Sequence, residues 1–279
     1  MIDIKQYIKV MKRLYLLIIP LLIQSCSTMY IPASRSIPLL EKQGEFQMET
    51  GVSTNSVYAN VSAAMTNDIA VSINGNLSCR NFTDYYDVFT RKDAKGPTGF
   101  LAPDLRGMFA HRYGEISAGK INILPKLPMT LEIFSGAGMG RATDVFAERV
   151  SNFKTDYYSF FGQGNFGMKW QKVETGASVR FAYSMFNYTY NHYGTNREDD
   201  FFQTIFSTVS FEPMGVVRVG KKNLKAVFRI GFNFMLPINL NKETARYYRG
   251  FTDYGNLDYT VFHFSAGLSY RIGGNKNMK

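Results

Sequence analysis

The chain has 279 residues, a formal net charge of +10 from 32 Lys and Arg against 22 Asp and Glu, and 15% aromatic residues, of which only one is Trp. With 45% hydrophobic and 19% charged residues it is too apolar for disorder. Two cysteines exclude a disulfide scaffold and a cysteine-based zinc site, and His111, His192 and His263 leave little material for a metal centre.

The first element is an address. Lys12 and Arg13 precede the apolar run Leu14 to Ile23, which is too short for a bilayer span of about 20 residues. A basic flank, a short apolar core and small residues after it describe an export signal over 1–25. The run ends Ile23-Gln24-Ser25-Cys26, which resembles a bacterial lipoprotein signal, with Cys26 the residue to be lipidated. Gln24 departs from the small or branched residue usual before the serine. A covalent lipid on Cys26 is the only cofactor-like group expected. Residues 26–43 carry Pro32 and Pro38 and read as a polar, lipidated tether.

From 44 onward the sequence alternates with period two, the signature of strands. In Leu224–Leu236, Leu224, Phe228, Ile230, Phe232, Phe234 and Leu236 share one face, and Lys225, Arg229 and Asn233 the other. Segments 173–187 and 262–272 repeat the pattern. The predicted strands are 44–53, 56–66, 68–80, 109–123, 128–141, 155–170, 172–189, 200–213, 223–237 and 257–272, followed by a tail over 273–279. The longer ones exceed the usual soluble strand of about 5–6 residues and suit the about 9–11 needed to cross a bilayer on a tilt. Charges facing a soluble core would be costly unless paired. With the apolar face on lipid and the polar face inward the conflict disappears, and a sheet in lipid must close on itself. The expected fold is all-β, an antiparallel up-and-down transmembrane β-barrel over 44–272 of about ten strands, with eight or twelve as alternatives.

After the opening hairpin, short links (67–68, 124–127, 171, 213–222) alternate with long ones (81–108, 142–154, 190–199, 238–256). Membrane barrels have short periplasmic turns and longer outer loops. Both termini then lie in the periplasm, where a lipid on Cys26 in the periplasmic leaflet would reach the first strand through the tether. The expected location is the outer membrane. Aromatics at strand ends, such as Tyr157, Tyr158, Tyr188, Tyr190, Phe201 and Phe202, read as an interface girdle. Those of the loops (Tyr85, Tyr86, Tyr247, Tyr248, Tyr254) read as ordinary β-propensity.

Further stretches carry a resemblance. Ile37-Pro38-Leu39-Leu40 leads into Gly44-Glu45-Phe46; Ala63 to Val71 follows; then come Tyr113 to Gly119, Glu132 to Gly140 and Phe161 to Gly167. Loosely over 37–190, the chain looks like a family of outer-membrane β-barrel lipoproteins of the Bacteroidota. The resemblance implies fold and location, and supplies no reaction and no ligand. The residues after Cys26, Ser27-Thr28-Met29-Tyr30, lack the acidic cluster that resembles a surface-export tag in some lipoproteins of that phylum, which favours retention in the periplasmic leaflet.

The inward faces collect Glu49, Glu115, Glu132, Glu174, Arg180, Lys225, Arg229, His263 and Arg271 as a polar lumen network. Such charges fit a plug of ion pairs in a narrow lumen, the favoured reading, or a gated pore. Glu115 and Glu132 could adjoin as an acid and base pair, though nothing marks a substrate cleft. His263 and Ser265 faintly resemble the His-x-Ser of barrels that deacylate lipid A, without a following acid. Gly136, Gly138 and Gly140 share one strand face and read as room for neighbouring side chains rather than a phosphate loop. The spread-out cations (Arg80, Arg91, Lys92 and Lys95; Arg141, Arg149 and Lys154; Arg246 and Arg249) do not form a nucleic-acid surface; they suit lipopolysaccharide phosphates or plain solubility alike. The expected partner is outer-membrane lipid, lipopolysaccharide included, with no nucleic acid and no metal. The expected role is structural, adhesive or accessory in the envelope and not enzymatic, with a narrow solute channel or, more remotely, a lipid-modifying hydrolase as alternatives.

Overall fold

The computed structural model describes residues 30, 34–53, 56–81, 107–124, 129–146, 151–170, 172–192, 200–221, 223–245, 259 and 261–273. The signal over 1–25, Cys26, and the loop residues Tyr85, Tyr86, Arg91, Lys92, Lys95, Arg149, Arg246, Tyr247, Tyr248, Arg249 and Tyr254 lie outside them.

Among the described residues the strands are β1 (Phe46–Ser53), β2 (Val57–Ala64), β3 (Ile69–Asn81), β4 (Gly107–Leu124), β5 (Met129–Phe146), β6 (Ser151–Lys169), β7 (Val173–His192), β8 (Asp200–Lys221), β9 (Leu224–Phe232), β10 (Phe234–Ile238) and β11 (Phe262–Ile272), with one helical turn, α1 (Lys242–Ala245). Each strand pairs antiparallel with its neighbours; β1 pairs with both β2 and β11, and β9 with both β8 and β11, so the sheet closes. β9 and β10 hold one continuous register on β8, from Lys221↔Leu224 to Ser207↔Ile238, and form one stave interrupted at Asn233. The result is a closed antiparallel barrel of ten staves.

The interruption has a chemical cause. Pro213 stands on β8 opposite Phe232 and has no N–H to give the ladder. The residue that reads as a strand end therefore sits inside a 22-residue strand, and the expected link over 213–222 is mostly strand. The second long link is likewise shorter than expected, because β5 runs to Phe146 and β6 starts at Ser151.

Alternation sets the two faces. Ile73, Ile116, Ile133, Phe160, Phe181, Phe228, Leu236 and Leu268 point outward, with Ile133 62% and Leu236 70% exposed. An apolar belt around a whole barrel far exceeds the few-hundred-Å² patches of soluble monomers and suits a hydrocarbon surrounding. The inward face is polar, and its small side chains (Ser62, Ser72, Ser117, Ser159, Ser184) are buried. Two expectations about aromatics change here. Tyr157 and Tyr188 turn inward and are buried, whereas Tyr158 and Phe201 face outward.

Candidate functional site: a lumen filled by its own chain

The largest departure from the sequence reading is the segment expected to be a periplasmic tether. Residues 34–40 run inside the barrel and are all buried. Near the short-link end, Lys169 pairs with Glu41 at 3.1 Å. Leu40 packs with Ala64, Ala70, Ile121 and Phe134, and its N–H donates to Glu132 at 2.8 Å. Leu39 and Ile37 pack with Val216 and Val227. Glycine makes the space: a Cβ on Gly167 would lie 2.5 Å from Leu39 Cδ1, and one on Gly176 3.4 Å from Ile37 Cγ2.

The wall reads this segment through its backbone. Arg271 donates to the Pro38 carbonyl at 2.8 Å, Arg218 to that of Ile37 at 2.5 Å, Gln163 to that of Ser36 at 3.0 Å, and Asn60 to that of Ser34 at 2.5 Å. Without the segment the Asn60 amide and one Arg218 guanidinium nitrogen would lose the carbonyl they donate to, at about 1–3 kcal/mol apiece, whereas Arg271 keeps Gln47 and Glu174 and Gln163 keeps Asn165. Arg35 answers Glu212, at 3.4 Å to its carboxylate and 2.8 Å to its carbonyl. Tyr30 donates to the same carboxylate at 3.1 Å and enters a ring cluster with Tyr157 and Phe186.

All nine residues of the anticipated lumen network line this interior. Glu49 receives Arg218 at 2.6 Å and also Arg229. Glu174 receives Lys225 at 2.7 Å, Arg271 at 3.1 Å and Arg218 at 3.5 Å. Glu115 takes both prongs of the Arg180 guanidinium at 2.8 Å, with Asn74 and Tyr113 as further donors at 2.8 and 2.9 Å. Such forked pairs are the strong form of the interaction. His263 is buried, and Ser265 meets Ser34 at 3.2 Å, so neither opens onto lipid. Glu115 and Glu132 do not adjoin: Glu132 lies opposite Ile121, six residues along β4 from Glu115, which is about 20 Å. The glycines of β5 serve neighbours, since added Cβ atoms on Gly136, Gly138 and Gly140 would strike the rings of Phe161, Tyr113 and Tyr157.

Sequence reasoning missed Arg35, Glu212 and Arg218. Arg218 falls in a stretch that reads as a link, Glu212 stands beside Pro213 where the strand reads as ending, and Arg35 stands in the segment that reads as a tether. The signal that could have found Glu212 and Arg218 is the unbroken even-numbered inward face from Ser210 through Glu212 to Arg218. Among the described residues no group of three or more His, Cys, Asp or Glu side chains could hold a metal ion.

No family model and no curated protein matches the sequence. Among solved structures, the outer membrane protease OmpT from Escherichia coli matches at 10% identity with a TM-score of 0.49, over 82% of this chain and 93% of that one. A major outer membrane protein from Thermus thermophilus matches at 10% identity with a TM-score of 0.27, over 82% of this chain and 99% of that one. These are likenesses of barrel type alone. They correct one expectation: with a protease among the matches, the chain's membership of this barrel type is no ground for calling it non-enzymatic, and equally no catalytic residue is carried over. The protein is an outer-membrane-type β-barrel.

Proposed function

We propose that this protein is an outer-membrane barrel closed by its own N-terminal segment, with a structural or accessory role in the envelope rather than that of an open solute channel. The observation that carries the reading is the burial of residues 34–40 in the lumen, held by wall side chains at nearly every residue. The test is single-channel recording of the purified full chain in a planar bilayer, with heat-modifiable gel migration as the folding control. The full chain stays silent. Leu39→Asp, which sets a charge against Val216 and Val227, loosens the segment and gives current steps. Steady conductance from the full chain overturns the proposal.

The same reading includes a lipid on Cys26, and the course of the segment limits its position. Cys26 stands four residues before Tyr30, at most about 14 Å of extended chain. Tyr30 packs on Tyr157, which is twelve residues along β6 from the short-link end at Lys169, about 30 Å along the barrel axis for a tilted strand. A lipid on Cys26 therefore belongs at the long-link side and is out of reach of the periplasmic mouth, contrary to the tether expectation. Acyl labelling of the wild type but not Cys26→Ala, with a tag at residue 27 accessible on intact cells, is the expected result. A lipidated chain whose tag is reached only after the outer membrane is breached refutes this placement.

A further inference from the structure

The outer wall carries a row of charges that the lumen does not use. Arg112 on β4 lies directly opposite Arg141 on β5, and Arg141 directly opposite Asp156 on β6. All three point away from the lumen, in the half of the barrel nearer the long links. Arg141 pairs with Asp156, and Lys154 reaches the same carboxylate at 3.2 Å. Two cations thus share one carboxylate, and a third, Arg112, stands beside Arg141. Like charges directly across a sheet are destabilising, and here they stand on the outer face above an apolar belt.

The surface around them is shaped. The charges rim a concavity of about 570 Å³ whose floor includes Gly114 and Met139. Toward the short links a second trough, about 860 Å³, runs between Ile116, Ala118, Ala137, Phe160, Gly162 and Phe181. On β4 the two form one column, Arg112, Gly114, Ile116, Ala118, of about 20 Å, comparable to a single leaflet of a hydrocarbon core about 30 Å thick. Gly114 and Gly162 have open space where a Cβ would stand, so these glycines are not demanded by packing within the barrel. A cationic head site continuous with an apolar trough along the membrane normal complements an anionic amphiphile. Paired guanidinium forks suit phosphate oxygens in particular.

We propose that this face binds one phosphorylated, multiply acylated lipid of the outer leaflet, with its phosphate between Arg112 and Arg141 and its acyl chains in the trough. Only the choice of leaflet rests on the orientation taken above. Binding measured in detergent is independent of orientation and of conductance, so the two proposals fail separately.

The experiment is native mass spectrometry of the full chain in detergent. The probes are a diphosphorylated, hexa-acylated disaccharide lipid, its phosphate-free counterpart, and inorganic phosphate. One equivalent of the diphosphorylated lipid is retained. Arg112→Gln with Arg141→Gln lowers its affinity at least about tenfold, as expected for lost charge-assisted hydrogen bonds. Lys120→Gln, an outward cation at the other end of β4, leaves it unchanged. Gly114→Leu fills the charge-rimmed concavity and Gly162→Leu the trough, neither with a clash, and both weaken lipid binding while heat-modifiable migration stays normal. Equal binding of the phosphate-free lipid, indifference to the double arginine variant, or inorganic phosphate binding as tightly as the lipid would each overturn the assignment. So would a dimer that the leucine variants dissociate, since a second copy would then own the face.

Discussion

Replacing Glu115 by Leu while Arg180 stays in place is expected to be among the most damaging single changes in the lumen. The two 2.8 Å contacts of the fork are charge-assisted and worth about 1.5–3 kcal/mol each, so their loss amounts to about 3–6 kcal/mol. That agrees with the about 3–5 kcal/mol expected when a buried ion pair loses one partner. Arg180 would keep only Gln163, at 2.7 and 3.0 Å, and the face of Phe161 at 3.8 Å. Arg180→Met alone costs less, because Glu115 keeps Asn74 and Tyr113 as donors and can take up a proton. The double variant Glu115→Leu with Arg180→Met removes both charges; it strands Asn74 and Tyr113, as Glu115→Leu already does, and in addition only the Gln163 amide oxygen that accepted from Arg180, a further loss of about 1–3 kcal/mol against the about 3–5 kcal/mol of a buried unpaired charge. It should therefore be more stable than Glu115→Leu by about 2 kcal/mol, although it carries one more substitution. Urea unfolding in lipid vesicles, followed by the single tryptophan, Trp170, at the end of β6, measures all four species. Additivity of the two single changes within about 0.5 kcal/mol would refute the reasoning, because the pair would then carry no coupling.

Ile133→Arg places a charge on the apolar belt and should cost about 2–4 kcal/mol if it lies near the bilayer midplane; no effect on urea unfolding in vesicles would refute a lipid-facing position. Gly140→Ala should cost about 1–3 kcal/mol, since its Cβ would strike Tyr157 Cζ in a ring stacked 5.0 Å from Phe186 and 5.7 Å from Tyr113. Gly162→Ala meets nothing within 4 Å and should stay within about 0.5 kcal/mol of the wild type in the same assay. Arg35→Met should loosen the lumen segment at one end and leave Glu212 with Tyr30 and Ser210 but without its paired cation, which a rise in protease cleavage within 34–41 would report; unchanged resistance would show that the pair does not hold the segment.

Much of the barrel was legible because its determinants are local. Period-two alternation assigns each residue to a face, and the face decides whether lipid or lumen receives it. Leu224 through Leu236 shows this fully: Phe228, Ile230 and Phe232 face out, and Lys225 and Arg229 face in, as read from the sequence. Closure followed from the need to satisfy every backbone donor in lipid. Pro213 misled because a proline reads as the end of a strand, whereas this one breaks the ladder at a single rung and the stave goes on.

Alternation alone puts Glu49, Glu115, Glu132, Glu174, Arg180, Lys225, Arg229, His263 and Arg271 on the inward face but does not choose their partners, since partners are set by stagger and by what else enters the space. Glu115 and Glu132 share an inward face on neighbouring strands, yet the register sets them six residues apart and gives each a different partner. The segment 34–41 has no period of its own, and its Pro38 and serines read as an ordinary tether. Only closure of the sheet around it decides that it is a plug. Its carbonyls are the acceptors for Arg218, Arg271, Asn60 and Gln163, and its apolar side chains fit against Gly167 and Gly176. Buried donors on a lumen wall need acceptors, and for these four the carbonyls in reach belong to the chain's own segment 34–38.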